Sequence, residues 1–189
     1  MSQGPHHNYM ISAVALDFGH TIIDERVDIL LEDTYHEQHL MPGVREALTG
    51  LAHPVAIWAN TRRANAEDVW RWLQRAGLAA HVTWVVTSVD AGARKPAREF
   101  FDYALRMMAM GAEDVLFVGN QRNTDIAGGR AYGIRTVWIS DDAYHSADDC
   151  EVGVEPTFTM ATLAELPGLV AKLGAGLVRG PDKVRATKP

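Results

Sequence analysis

The chain has one cysteine, Cys150, in 189 residues, so an intrachain disulfide is excluded and nothing in it demands an oxidising compartment. It also lacks any apolar run near the roughly 18 residues of a membrane span. Its first ten residues, MSQGPHHNYM, show no basic-then-apolar signal pattern. A cytoplasmic protein without membrane contact is the expectation. Excess positive charge is missing too. Eighteen Lys and Arg face 24 Asp and Glu, a net charge of −6, which offers no general attraction to nucleic acid. No internal repeat or low-complexity block interrupts the chain, and its length suits one ordinary domain.

What is present is an alternation of two patterns. Short apolar, β-rich runs occur at Ile11–Leu16, Pro54–Trp58, His81–Thr87, Val115–Val118 and Arg135–Ile139. Continuous apolar runs of this length fit strands covered on both faces. Between them, amphipathic stretches at Val44–Ala52, Ala64–Ala76, Ala97–Met110 and Thr124–Tyr132 close on glycines or loop residues suited to helix ends. A last helix is expected over Leu163–Leu173. The order implies an α/β fold: a doubly wound three-layer sandwich around a mostly parallel sheet of five or more strands. In such sheets ligands bind beyond the carboxyl ends of the strands. Asp17, the stretch Ala59-Asn60-Thr61, Asn120 and Ser140 all fall there.

Asp17 directly follows a strand with a buried pattern, where a carboxylate can attack a phosphoryl group or hold a cation. Taken alone, it reads more simply as a cap of the following turn. Lys95, just before Pro96, also fits a surface lysine at a helix start. Asp125 equally suits the first turn of a helix, where negative charge is favourable. Arg62 and Arg63 read more simply as a solvated helix start than as anion ligands. Trp70 and Trp72 cannot share one helix face, so one is expected to be more exposed.

The stretches together carry more than each alone. Asp17-Phe18-Gly19-His20-Thr21, Ile57-Trp58-Ala59-Asn60, Arg94-Lys95-Pro96 and Phe117-Val118-Gly119-Asn120 followed by Asp125 occur in order at strand ends. In that order they resemble the four motifs of the haloacid dehalogenase-like (HAD) superfamily, over roughly residues 11–140. The resemblance implies a Rossmann-like HAD fold and a Mg²⁺-dependent phosphohydrolase. By the same resemblance, Asp17 is the nucleophile that becomes an aspartyl-phosphate and also a metal ligand, and Lys95 is the charge clamp. The Gly19 carbonyl, Asn120 and Asp125 complete the metal site, and Asn60, Thr61 and His20 contact the substrate.

Three positions depart from the family pattern. Gly19 stands where phosphatases place a second Asp as general acid, help typically worth about 10²–10⁴ in rate. Ala59 replaces a hydroxyl residue, and Asn120 replaces an acid, giving a neutral and weaker ligand for a hard cation. The expected enzyme is therefore slow. A catalytically weak or inactive phosphate- or protein-binding domain is the alternative, and a haloacid dehalogenase-type hydrolase the third reading.

The gaps between motifs leave room for a short flap at 22–40 and no large cap. The organisation expected is a flexible tail at 1–9, a single domain at 10–175 and a disordered tail at 176–189. An open site suits a large phosphorylated substrate, or closure by a protein partner or second copy of the chain.

Overall fold

Six short runs of apolar and β-branched residues form strands in the computed structural model of the chain, which describes residues 11–24, 39–140 and 153–174. They are β1 (Ala13–Leu16), β2 (Val55–Ala59), β3 (Trp84–Thr87), β4 (Val115–Gly119), β5 (Arg135–Ile139) and β6 (Phe158–Met160). All pair in parallel, in the order β3-β2-β1-β4-β5-β6. Parallel neighbours require crossovers, and the helices supply them. These are α1 (Val44–Gly50), α2 (Ala66–Arg75), α3 (Ser88–Ala91), α4 (Arg98–Met108), α5 (Ala127–Tyr132) and α6 (Leu166–Gly174). The expected tails, Cys150 and most of the expected flap lie outside the described residues.

Period-two alternation sorts β1 between two cores. Val14 and Leu16 face a layer built with Trp72 and Leu73 of α2, Leu48 of α1 and Leu166 of α6. Ala13 and Ala15 face the other layer, where their small side chains leave room for Trp58, Phe100, Phe101 and Phe117. The Trp58 and Phe117 rings lie 4.9 Å apart, and Trp58 meets Phe101 edge-on at 5.9 Å. Such pairs contribute about 0.5–1.5 kcal/mol each beyond the area they bury. Trp72 is buried and Trp70 only partly so, as two residues two apart on one helix must differ.

Local chemistry sets the boundaries. Asn65 accepts from the Asp68 N–H while the Asp68 carboxylate accepts from the Asn65 N–H, which starts α2 two residues later than the apolar pattern suggested. The expected third strand from His81 begins only at Trp84, because residues 79–81 form a tight 3₁₀ turn. The expected helix from Thr124 instead opens with a π-helical turn, Arg122–Ile126, before α5. β6, unforeseen in the sequence, is a three-residue edge strand.

Chain order sets the position of the site. After β3 the sheet grows from the other side of β1, so the direction of winding reverses between β1 and β4. Clefts at the carboxyl end of such a reversal are where these sheets bind ligands. Asp17 leaves β1 there and Asn120 leaves β4.

Candidate active site

Asp17 follows Leu16 and donates its backbone N–H to the Val118 carbonyl at 2.8 Å, extending the β1–β4 ladder by one residue. The ladder fixes the direction in which its carboxylate leaves the sheet. Lys95 arrives from the loop between α3 and α4. Its ammonium donates to Asp17 Oδ1 at 2.5 Å and to the Trp58 carbonyl at 2.7 Å, and pairs with Asp125 Oδ1 at 2.8 Å. Lys95 is 3% exposed, Asp17 6% and Asp125 1%. The structure thus brings residues 17, 95 and 125 into one buried cluster.

Asp125 reaches it because of the π-helical turn. Its Oδ2 accepts the Gln121 N–H at 3.1 Å, while Oδ1 turns to Lys95. Gly119 makes the approach possible. A Cβ at that position would lie 2.6 Å from Asp125 Cγ. Burial and the neighbouring Asp17 carboxylate push the Asp125 pKa up to about 6, against the pull of Lys95. Burial alone would lower the Lys95 pKa, but the Asp125 and Asp17 carboxylates outweigh it and hold it above the ordinary lysine value. The ammonium therefore stays charged throughout the neutral range, and a charge held this way suits neutralisation of an incoming anion.

Asn60 and Thr61 are committed within the protein. Asn60 Oδ1 accepts the Lys95 N–H at 2.9 Å and its Nδ2 donates to the Lys95 carbonyl at 3.0 Å. Asn60 thus splints the Lys95 backbone. The Thr61 hydroxyl donates to the Ala64 carbonyl at 2.6 Å, and its N–H donates to Ser88 Oγ at 3.0 Å. Ser88 and Arg94 in turn donate to the Thr61 carbonyl. Arg62 and Arg63 are exposed.

His20 sits at φ +51°, a left-handed conformation uncommon outside glycine, with Nδ1 3.9 Å from Asp24. His20, Thr21, Met41, Pro42, Asn120 and Thr162 help line a cavity of about 30 Å³, room for about two waters. Asn120 is 2% exposed, and both its Oδ1 and Nδ2 are buried without a partner among the described residues. An orphaned buried amide is costly unless something else satisfies it. Its oxygen, the Asp17 and Asp125 carboxylates and the Gly19 carbonyl are all of the oxygen type that a hard cation takes. Among the described residues, no cluster of three or more His, Cys, Asp or Glu side chains is disposed to hold a metal. A cation here would therefore rest on two acids and neutral oxygens.

Comparison with known proteins places this geometry in a family. A HAD-hydrolase-like family model matches residues 92–166. The ribulose-1,5-bisphosphate 5-phosphatase of Halopiger xanaduensis is 31% identical over 176 residues, covering 88% of this chain and 73% of the relative. The chain belongs to the HAD superfamily of hydrolases. The pyrimidine 5'-nucleotidase YjjG of Escherichia coli is 36% identical over 133 residues, 70% of this chain, and the chain spans only 57% of its length. An uncharacterized protein from Listeria monocytogenes serotype 4b superposes with a TM-score of 0.73 at 26% identity, over 87% of this chain and 99% of the other. The HAD-hydrolase YfnB of Bacillus subtilis, solved bound to magnesium, has the same fold, with a TM-score of 0.67 at 16% identity over 85% and 99% of the two chains.

Two contributors to the HAD site had no signal in the sequence. The Trp58 carbonyl is a backbone group, and Ser88 acts across the loop on Thr61. No helix among the described residues is long and apolar enough to cross a membrane.

Proposed function

We propose that the chain is a Mg²⁺-dependent phosphohydrolase acting on phosphate monoesters through an aspartyl-phosphate on Asp17. The observation that carries it is the buried Lys95 ammonium, shared between Asp17 and Asp125 at the winding reversal of the sheet. Asp17, the Gly19 carbonyl, Asn120 Oδ1 and Asp125 are the residues that would hold the ion. The ion supplies charge neutralisation and orientation of the phosphoryl oxygens.

The chain's own groups then divide the work. Lys95 pairs with the Asp17 carboxylate and offsets the charge of the arriving phosphate. An Asp17 oxygen forms a bond to phosphorus as the ester oxygen leaves, and water later cleaves the aspartyl-phosphate to restore the carboxylate. Asn60 positions Lys95 rather than touching the substrate. With Gly19 in place of an acid, the leaving oxygen takes its proton from solvent, so turnover is slow and favours acidic leaving groups such as phenols.

The named relatives include phosphatases of ribulose bisphosphate and of pyrimidine nucleotides, which supports a small phosphate ester as substrate. Magnesium in YfnB supports the choice of ion. The expected flap at 22–40 is too short for a large cap, and a site without one would also admit a larger phosphorylated partner or closure by a second chain.

The test is hydrolysis of an aryl phosphate with Mg²⁺. Asp17→Asn should abolish it, and Gly19→Asp should raise the rate about 10²–10⁴-fold, more for poor leaving groups than for phenols. Beryllium fluoride should trap Asp17. The neutral residues at 19 and 120 favour a second reading, a phosphate-binding domain without turnover. No hydrolysis by the parent and none by Gly19→Asp, with anion binding retained, would decide for it.

A further inference from the structure

Asn120 has an unusual problem. Its side-chain amide is buried and has no partner among the described residues, so none of them bonds to that amide to fix where it points. What holds the residue is its backbone. Trp138 of β5, in register with Gly119, donates its indole N–H to the Asn120 carbonyl at 2.9 Å. The indole is itself held. The Arg122 guanidinium lies 4.9 Å from the centre of the Trp138 ring. Arg122 also donates to the Val154 carbonyl at 3.2 Å and sits 3.6 Å from the Glu155 carboxylate. A planar guanidinium can stack on the ring and bond at its edge together, which a lysine cannot.

We propose that Trp138 and Arg122 are positioning residues for Asn120, fixing the turn after β4 and tying it to the segment that leads into β6. The inference rests on the phosphohydrolase reading for its consequence, which is cation affinity. Outer partners that orient a metal-site residue are commonly worth 10–100-fold in affinity.

The test is Mg²⁺ titration of the intact chain by thermal shift, with kcat/KM measured alongside. Trp138→Phe removes the indole donor and should raise the Mg²⁺ midpoint about tenfold, and Arg122→Lys should raise it a few-fold. Trp84→Phe, on the far edge strand, should leave it unchanged. In an Asn120→Ala background, Trp138→Phe should add nothing further. A midpoint unchanged in Trp138→Phe, or an effect that persists without Asn120, overturns the proposal.

A second readout needs neither metal nor the Phe variant. The Trp138 indole N–H should exchange slowly with solvent in the parent and about tenfold faster in Arg122→Lys, with the Asn120 side-chain amide resonances moving. Fast exchange in the parent, or unmoved Asn120 resonances, also overturns it. If the parent shows no response to Mg²⁺, the phosphohydrolase reading fails, and these resonances alone decide whether Trp138 and Arg122 orient Asn120.

Discussion

Replacing Gly119 by alanine tests how the site is assembled. The three atoms nearest a Cβ at position 119 all belong to Asp125, with Cγ at 2.6 Å and Cβ at 2.7 Å. Real Cβ contacts essentially never fall below 3.0 Å. The Asp125 side chain has little freedom to yield, since one oxygen holds the Gln121 N–H and the other the Lys95 ammonium. Overpacking a tight site costs about 1–3 kcal/mol, and parting a buried ion pair about 3–5. Because Lys95 keeps Asp17, we expect a loss of about 2–4 kcal/mol. Urea unfolding measures it for Gly119→Ala, for Asp125→Gly, which removes all three clashing atoms, and for the double variant. The double variant should lose at least about 1 kcal/mol less than the sum of the single losses. Additive losses, or a Gly119→Ala cost below about 0.5 kcal/mol, would refute the packing argument.

Lys95→Met leaves two buried carboxylates facing each other and should cost about 3–5 kcal/mol at neutral pH without metal. A thermal melt should show part of that returning in millimolar Mg²⁺. The unfolded chain loses the Asp125 proton near pH 3.8 and the folded chain near 6, so the fold binds this proton more tightly. The metal-free protein should accordingly lose about 3 kcal/mol from this group as pH rises through that window. Asp125→Asn should flatten the urea midpoint over the same range. The raised Lys95 pKa acts at the other end, its stabilisation being complete below pH 10.5 and lost above it. Asn60→Ala removes two bonds to the Lys95 backbone and should cost about 1–3 kcal/mol, with a fall in kcat larger than any change in KM.

The sequence disclosed the strand ends well, because buried parallel strands need unbroken apolar runs and each run here stops at a polar residue. Asp17 and Asn120 were legible for that reason. β6 was not. Phe158–Met160 is three residues long on an edge, too short to show a period. The π-helical turn was hidden as well, since Arg122–Ile126 differs from an α-helix only in which carbonyl each N–H finds. The link from Asn60 to the Lys95 backbone was not legible, because its amide pairs with a backbone 35 residues away and no local pattern encodes that contact. A tryptophan on a strand, such as Trp138, ordinarily packs in a core, so no local pattern marks its indole N–H as a donor to the Asn120 carbonyl.

The aromatic layer beneath β1 has one more effect. Lys95 Nζ lies 5.2 Å from the centre of the Phe117 ring, above a stack that includes Trp58 and Phe101. Rings packed this tightly leave no room for water between them, so the ammonium has a dry, apolar floor on that side.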